Sequence, residues 1–244
     1  MNILKNIKDY LPYIHQTIYV NFKYLPINQA IKLPIFIRKA QFKTTRGTII
    51  IESPVKTGMI RIGTKNSGIH LDMKTILEIS GKVLFKGKVT ISNGSALSVG
   101  EFGELIFGNN FISNSNTKFC AFHHVEFGEN TELAWDIIVS DTDFHVTKNA
   151  ITNKPIKSYA PIIIGSNNWI GQRTLVLKGT KTPNQTIVSA GSVIQGKFKC
   201  EEKSIIGGNP AKIIAEGCYY RDFEDKSENN IIHYQQYGKQ NDYR

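Results

Sequence analysis

From about residue 60 onward the apolar positions recur every six residues. Ile164, Ile170, Val176, Thr182, Val188 and Ile194 form one such run, and Phe127, Leu133, Val139 and His145 form another. Phe107, Ser113, Phe119 and Val125 make a third, preceded by Ile79, Phe85, Ile91 and Leu97, and the phase slips between runs. An α-helix repeats at about 3.6 residues and a half-buried strand at about 2. A step of six fits short strands joined by tight corners, with one inward residue on each flat side. Three sides close a coil of about 18 residues, and such coils stack as parallel strands about 4.8 Å apart. Gly108-Asn109-Asn110, Gly128-Glu129-Asn130 and Gly165-Ser166-Asn167 supply corner residues that tolerate positive φ. The competing arrangement, an antiparallel sandwich with Gly/Asn turns, does not require a six-residue step. The pattern therefore predicts an all-β parallel solenoid, and leaves the hand of its coil open.

Two segments fall outside the repeat, so the expected organisation has three parts. Residues 1–45 form an N-terminal helical and extended segment, with Ile3, Leu4, Ile7, Leu11 and Ile14 on helical spacing. Pro12 lies inside that stretch and is expected to kink or end it. Residues 46–215 form the solenoid, interrupted by an irregular interval at about 146–161 that reads as an extruded loop. Residues 216–244 form a polar, aromatic tail, with a short helix expected near 219–226. Capping the open ends of the solenoid is the structural role of both flanking segments. Weak contact with a membrane surface is a second role for the first of them, because Lys5, Lys8, Lys23 and Lys32 sit beside its apolar residues.

Composition narrows the class. The chain has 244 residues, 41% hydrophobic and 20% charged, which excludes a disordered chain and a membrane bundle. The N-terminus lacks the apolar core and cleavage site of a secretory signal, so a cytoplasmic location is expected. Cys120, Cys200 and Cys218 are odd in number and show no Cys-x-x-Cys spacing, which argues against a disulfide framework and a structural zinc site. The net charge of +10 favours anionic partners. There is no nucleic-acid-binding module in the sequence, so nucleic acid is not an expected partner.

The stretch Ile164-Gly-Ser-Asn-Asn-Trp-Ile-Gly171, then Val188-Ser-Ala-Gly-Ser-Val-Ile194, then Gly207-Gly-Asn-Pro-Ala-Lys212, resembles the hexapeptide-repeat acyltransferases. The similarity covers about residues 60–215. It is to the galactoside, maltose and serine O-acetyltransferase branch, including enzymes of surface-polysaccharide gene clusters. The resemblance implies a left-handed parallel β-helix, a homotrimer, acyl-CoA in a groove between adjacent subunits and a catalytic histidine in that groove. It further implies acetyl-CoA as acyl donor and a saccharide hydroxyl as acceptor. Asn110 to Asn116 matches the family's Asn-Phe-x-x-Asn-x-Asn segment, and Ser140 to His145 matches the segment that ends in its histidine.

Acyl transfer to an alcohol needs a base for the hydroxyl proton and donors for the developing oxyanion. His145 is the candidate base: it falls on the inward phase after Leu133 and Val139, where an ionisable ring breaks the apolar pattern. Asp143 or Asp141 is placed to orient its imidazole. The resemblance makes Asn114 the residue near acceptor or oxyanion, with Asn116 second. It also sets Trp169 beside the CoA groove, Gln172 and Ala190 along the pantetheine arm, and Lys212 near the CoA phosphates. Arg173, Lys178 and Lys197 are further electrostatic candidates. Three other readings remain open at this point: N-acylation of a nucleotide-linked amino sugar, a zinc-dependent hydratase of the carbonic anhydrase kind, and a non-catalytic scaffold. Adjacent strand residues point to opposite faces, so His123 and His124 do not readily share a metal, and no metal is expected.

Overall fold

The computed structural model describes residues 8–65 and 69–222. The chain winds as a left-handed parallel β-helix with three flat faces. The first face stacks nine strands, from Ile35–Ile37 through Phe111–Ser113, Glu132–Leu133 and Trp169–Ile170 to Ile205–Gly208 and a closing strand, Ala211–Ala215. The second stacks seven, from Ala40–Thr45 to Val193–Ile194, and the third five, from Thr48–Ile51 to Ile162–Ile164. All neighbours within the three faces are parallel except the last pair, where Ala211–Ala215 turns back on Ile205–Gly208. The first coil thus begins at Ile35, inside the segment expected to precede the solenoid, because strands Ile35–Ile37 and Ala40–Thr45 pair in register with the next coil.

Stacking in register builds the core. Phe85, Phe107 and Phe127 are Cα partners on successive coils of the third face. Their rings stack at 5.5 and 5.9 Å with interplanar angles of 12° and 8°. Later coils keep the 18-residue step, as Ile170, Val188 and Ile206 show. Earlier coils are longer because the corner between second and third faces swells: four residues, Gly100–Gly103, separate strands Ala96–Val99 and Glu104–Phe107. That swelling is the phase slip seen in the sequence. Left-handed backbone marks the other corners, in columns such as Asn110, Asn130 and Asn167. Their amides form a ladder, Asn110 Nδ2 donating to Asn130 Oδ1 at 3.2 Å and Asn130 Nδ2 to Asn167 Oδ1 at 3.1 Å.

The first coil's open edge would be a row of unpaired backbone groups. Helix α1 (Ile14–Tyr24) answers it with side chains. Asn21 exchanges two hydrogen bonds with the Ile35 backbone, Gln16 exchanges two with that of Ala40, and Thr17 accepts from the Ile37 N–H. Pro12 does not end this helix. It sits in the 3₁₀ turn Leu11–Tyr13 that leads into it, where a missing N–H has no helical partner to lose. The helix stops at Leu25, which is extended because Pro26 follows. Ile3, Leu4 and Ile7 lie outside the described residues, and so does most of the helix expected at 219–226, whose first residues, 219–222, are not helical.

Candidate active site

A groove of about 890 Å³ runs along the end of the first face and the corner that follows it. Asn114, Trp135, Trp169, Gln172, Ala190 and Arg221 line it. They come from successive coils, and the ladder explains their convergence. The Asn114 N–H donates to the Leu133 carbonyl, Ala134 to Ile170, and Gly191 to Gln172, at 2.8–2.9 Å. Each such bond brings a distant stretch of sequence one strand spacing away. Ala134, Ile187, Ala190 and Ile205 supply an apolar floor. Gly171 lets adjacent coils approach closely here: a Cβ on it would lie 2.6 Å from the Ala190 nitrogen. Asn114 is not a left-handed corner residue; its amide donates to the Leu133 carbonyl at 3.1 Å, at the mouth of the groove.

Trp169, Gln172 and Ala190 line this one groove together with Asn114. Arg173 is the left-handed corner residue next to Gln172, donating its N–H to the Trp135 carbonyl. Lys212 pairs across the closing hairpin with Gly207 and is exposed, outside the residues lining the groove. Trp135, Glu132 and Arg221 line the groove without having been singled out in the sequence. Arg221 lies 3.6 Å from Glu132. Only the Trp135-Asp136 pair at a corner carried a local signal; Arg221 stands in a tail with no periodicity.

Beside this mouth Asp136 gathers a polar knot. Asn116 Nδ2 donates to Asp136 Oδ1 at 2.7 Å, and His70 Nε2 lies 3.2 Å from the same oxygen. Burial pushes the Asp136 carboxyl up, but those two hydrogen bonds, with His70 and Arg173 nearby, outweigh it and hold the group below its usual range. His70 arrives on a loop pinned by Asp72, whose carboxylate takes a bidentate pair from Arg38 at 2.6 and 2.9 Å.

His145 lies on a different corner, between second and third faces, and it is exposed. The inward phase assigned to it is corrected by the structure. Val139 and Asp141 take the last inward slots, and the chain leaves the coil after Asp141. It returns at Ala160, whose N–H donates to the Asp141 carbonyl at 3.0 Å. The excursion starts earlier than the loop expected at 146–161 and contains a small hairpin, Thr147–Lys148 against Pro155–Ile156. Asp141, fully buried, does not orient the histidine. Its Oδ1 accepts the Phe122 N–H at 2.9 Å, and its Oδ2 those of His123 and His124 at 2.8 and 2.7 Å. The Asp143 carboxylate pairs with Lys178, which also donates to the Lys157 carbonyl. Among the described residues no hydrogen bond joins Asp143 to His145, and Lys178 fastens the excursion to the solenoid instead of lining the groove. His124 faces Glu104 and Glu126, while His123 packs on Tyr159 at 4.9 Å. Burial, then Asp141 and Glu78, push the Cys120 thiol up, away from nucleophilic use.

Known proteins similar in sequence to this chain are named O-acetyltransferases. WbbJ of Escherichia coli (strain K12), provisionally named a lipopolysaccharide biosynthesis O-acetyl transferase, is 29% identical over 143 residues, 55% of this chain and 71% of that one. The chain is an acyltransferase similar to the O-acetyltransferases of the hexapeptide-repeat family. Galactoside O-acetyltransferase of the same organism is 26% identical over 126 residues, 49% of this chain and 61% of its own length. The crystal structure of the polySia specific acetyltransferase NeuO superposes with a TM-score of 0.60 at 19% identity, over 84% of this chain and 83% of that one, which shows the shared fold. No family model matches the sequence. In this acyltransferase the family's use of acyl-CoA directs attention to the groove. No helix among the described residues is long and apolar enough to cross a membrane.

Proposed function

We propose that this acyltransferase moves an acetyl group from acetyl-CoA to a hydroxyl of a surface-polysaccharide precursor, in the cytoplasm. The observation that carries the reading is the meeting of Asn114, Trp169, Gln172 and Ala190 in one groove. The names of the relatives, a lipopolysaccharide O-acetyl transferase and a galactoside O-acetyltransferase, support the acceptor class.

The groove's chemistry suits CoA. Its apolar floor fits a pantetheine arm, the Gln172 side chain and the Ser189 hydroxyl offer hydrogen bonds, and Trp169 offers a flat wall. Acetyl-CoA supplies the thioester carbonyl. The imidazole of His145 takes the proton from the acceptor oxygen as that oxygen attacks, and returns it to the departing sulfur. The amide of Asn114 donates to the acceptor or to the developing oxyanion. Asn114 and His145 occupy different corners of one subunit, so in this reading the groove of one copy faces the His145 corner of the next. A homotrimer provides that arrangement, with direct transfer between two bound substrates.

The test is calorimetry with acetyl-CoA on the wild type and His145→Ala, followed by transfer assays on saccharide hydroxyl and amino-sugar acceptors. Both proteins bind acetyl-CoA with about one site per subunit, and His145→Ala loses roughly 10²-fold or more in turnover. A wild type that binds no CoA overturns the reading. Transfer confined to the amine overturns the acceptor class alone.

A further inference from the structure

Helix α1 turns its large apolar residues away from the protein. Its buried face carries Val20 together with Thr17 and Asn21, two of the residues that seal the first coil's edge. Its outer face carries Ile14, Ile18 and Phe22, continuous with Leu11 before it and with Ile27 and Ile31 on the short helix α2 (Ile27–Ala30) and its cap. Spacings of three and four keep Leu11, Ile14, Ile18 and Phe22 on one stripe. These six side chains are each 41–66% exposed. An ordinary surface helix buries its apolar stripe and shows water its polar one. Here the arrangement is inverted, and an apolar patch of this extent marks an interaction site.

Charge indicates what covers it. Between Asp9 and Glu52 the chain contains no acidic residue and six cations: Lys23, Lys32, Arg38, Lys39, Lys43 and Arg46. Asp72 reaches over from elsewhere to pair with Arg38 and Lys39. Lys23, Lys32, Lys43 and Arg46 are exposed and have no ion pair among the described residues. Tyr19, with an apolar ring and a polar tip, lies at the edge of the stripe and reaches the Thr45 hydroxyl. A partner surface that is apolar below and anionic above would match both features. We infer that the outer face of helices α1 and α2 docks in the plane of an anionic lipid bilayer, with Leu11, Ile14, Ile18, Phe22, Ile27 and Ile31 in the acyl boundary and Lys23 and Lys32 at the headgroups.

This docking is independent of the acyl-transfer reading, since the groove lies on later coils. It would hold the enzyme where a lipid-borne acceptor is presented. The experiment is co-sedimentation of the full chain with phosphatidylcholine vesicles with and without phosphatidylglycerol, comparing wild type, Ile18→Asp with Phe22→Asp, and Lys23→Glu with Lys32→Glu. Wild type partitions onto the anionic vesicles, and each double variant partitions at least roughly tenfold less. Circular dichroism and acetyl-CoA binding of the variants stay at wild-type values. A wild type that ignores anionic vesicles overturns the proposal. So does a change of subunit number in Ile18→Asp with Phe22→Asp, which would assign the face to a second copy of the chain.

Discussion

Replacing Asp141 by alanine removes the acceptor that closes the corner beside His145. Its carboxylate is fully buried and takes three backbone N–H groups, from Phe122, His123 and His124, at 2.7–2.9 Å. Hydrogen bonds to a charged acceptor contribute about 1.5–3 kcal/mol each. Water entering the vacated space recovers part of that, because Phe122 is exposed and the two histidines are half-buried. Asp141→Ala should therefore cost about 3–6 kcal/mol, a large share of the roughly 5–15 kcal/mol that holds a domain together. Asp141→Asn separates hydrogen bonding from bulk. Its amide oxygen can keep the His123 and His124 N–H groups, while its NH₂ faces the Phe122 donor, so the expected cost is about 1–3 kcal/mol. At about 2–4 °C per kcal/mol for a chain of this size, alanine lowers Tm by roughly 6–24 °C and asparagine by roughly 2–12 °C. The assay is thermal unfolding followed by circular dichroism at one fixed protein concentration, since subunit association also shifts Tm. The reasoning fails if alanine costs under about 1 kcal/mol, or if asparagine is as damaging as alanine.

Other perturbations follow from the same geometry. Phe107→Ala opens a void between the stacked rings of Phe85 and Phe127 and should cost about 3–5 kcal/mol by urea unfolding, with Phe107→Leu much milder. Gly103→Ala would set a Cβ 2.0 Å from the Ala121 carbonyl oxygen, so the swollen corner must shift; expression with a clearly lowered Tm is the expected result, and a wild-type melt would contradict the packing. Trp169→Ala should weaken acetyl-CoA binding about tenfold or more in calorimetry while leaving Tm nearly unchanged. The hydrogen bond from Arg38 chiefly holds the Asp72 carboxyl down to about 2, from a usual 3.8. A depressed folded-state pKa stabilises in full above the unfolded value, and the gain is lost as pH falls from about 4 towards 2. Acid unfolding of wild type should thus show a steeper limb in that window than Asp72→Asn, with the two curves meeting below it.

Much of this molecule was legible because a solenoid is nearly one-dimensional. Each coil touches only its neighbours, so the inward residues must repeat along the chain, and Phe107, Leu133, Val139 and Ile170 mark the coil in the sequence itself. The same regularity put Gln172 and Ala190 one coil apart, and the ladder bond from Gly191 to the Gln172 carbonyl is that spacing made physical. Corner asparagines were readable because the left-handed region admits few residue types. What escaped the sequence depends on where the repeat is broken. His145 looked inward by counting, yet the chain leaves the coil after Asp141, whose carboxylate is committed to three N–H groups of the previous coil. No periodic rule foretells that commitment, since it joins residues 17–19 apart through a corner of variable length. Asp143 faced a lysine 35 residues onward, and Arg221 reached the groove from an irregular tail. Helix α1 shows the limit most plainly. Its sequence fixes an apolar stripe, but which stripe is buried was decided by the open edge of the first coil, whose unpaired backbone groups took Gln16, Thr17 and Asn21 and left the isoleucines outside.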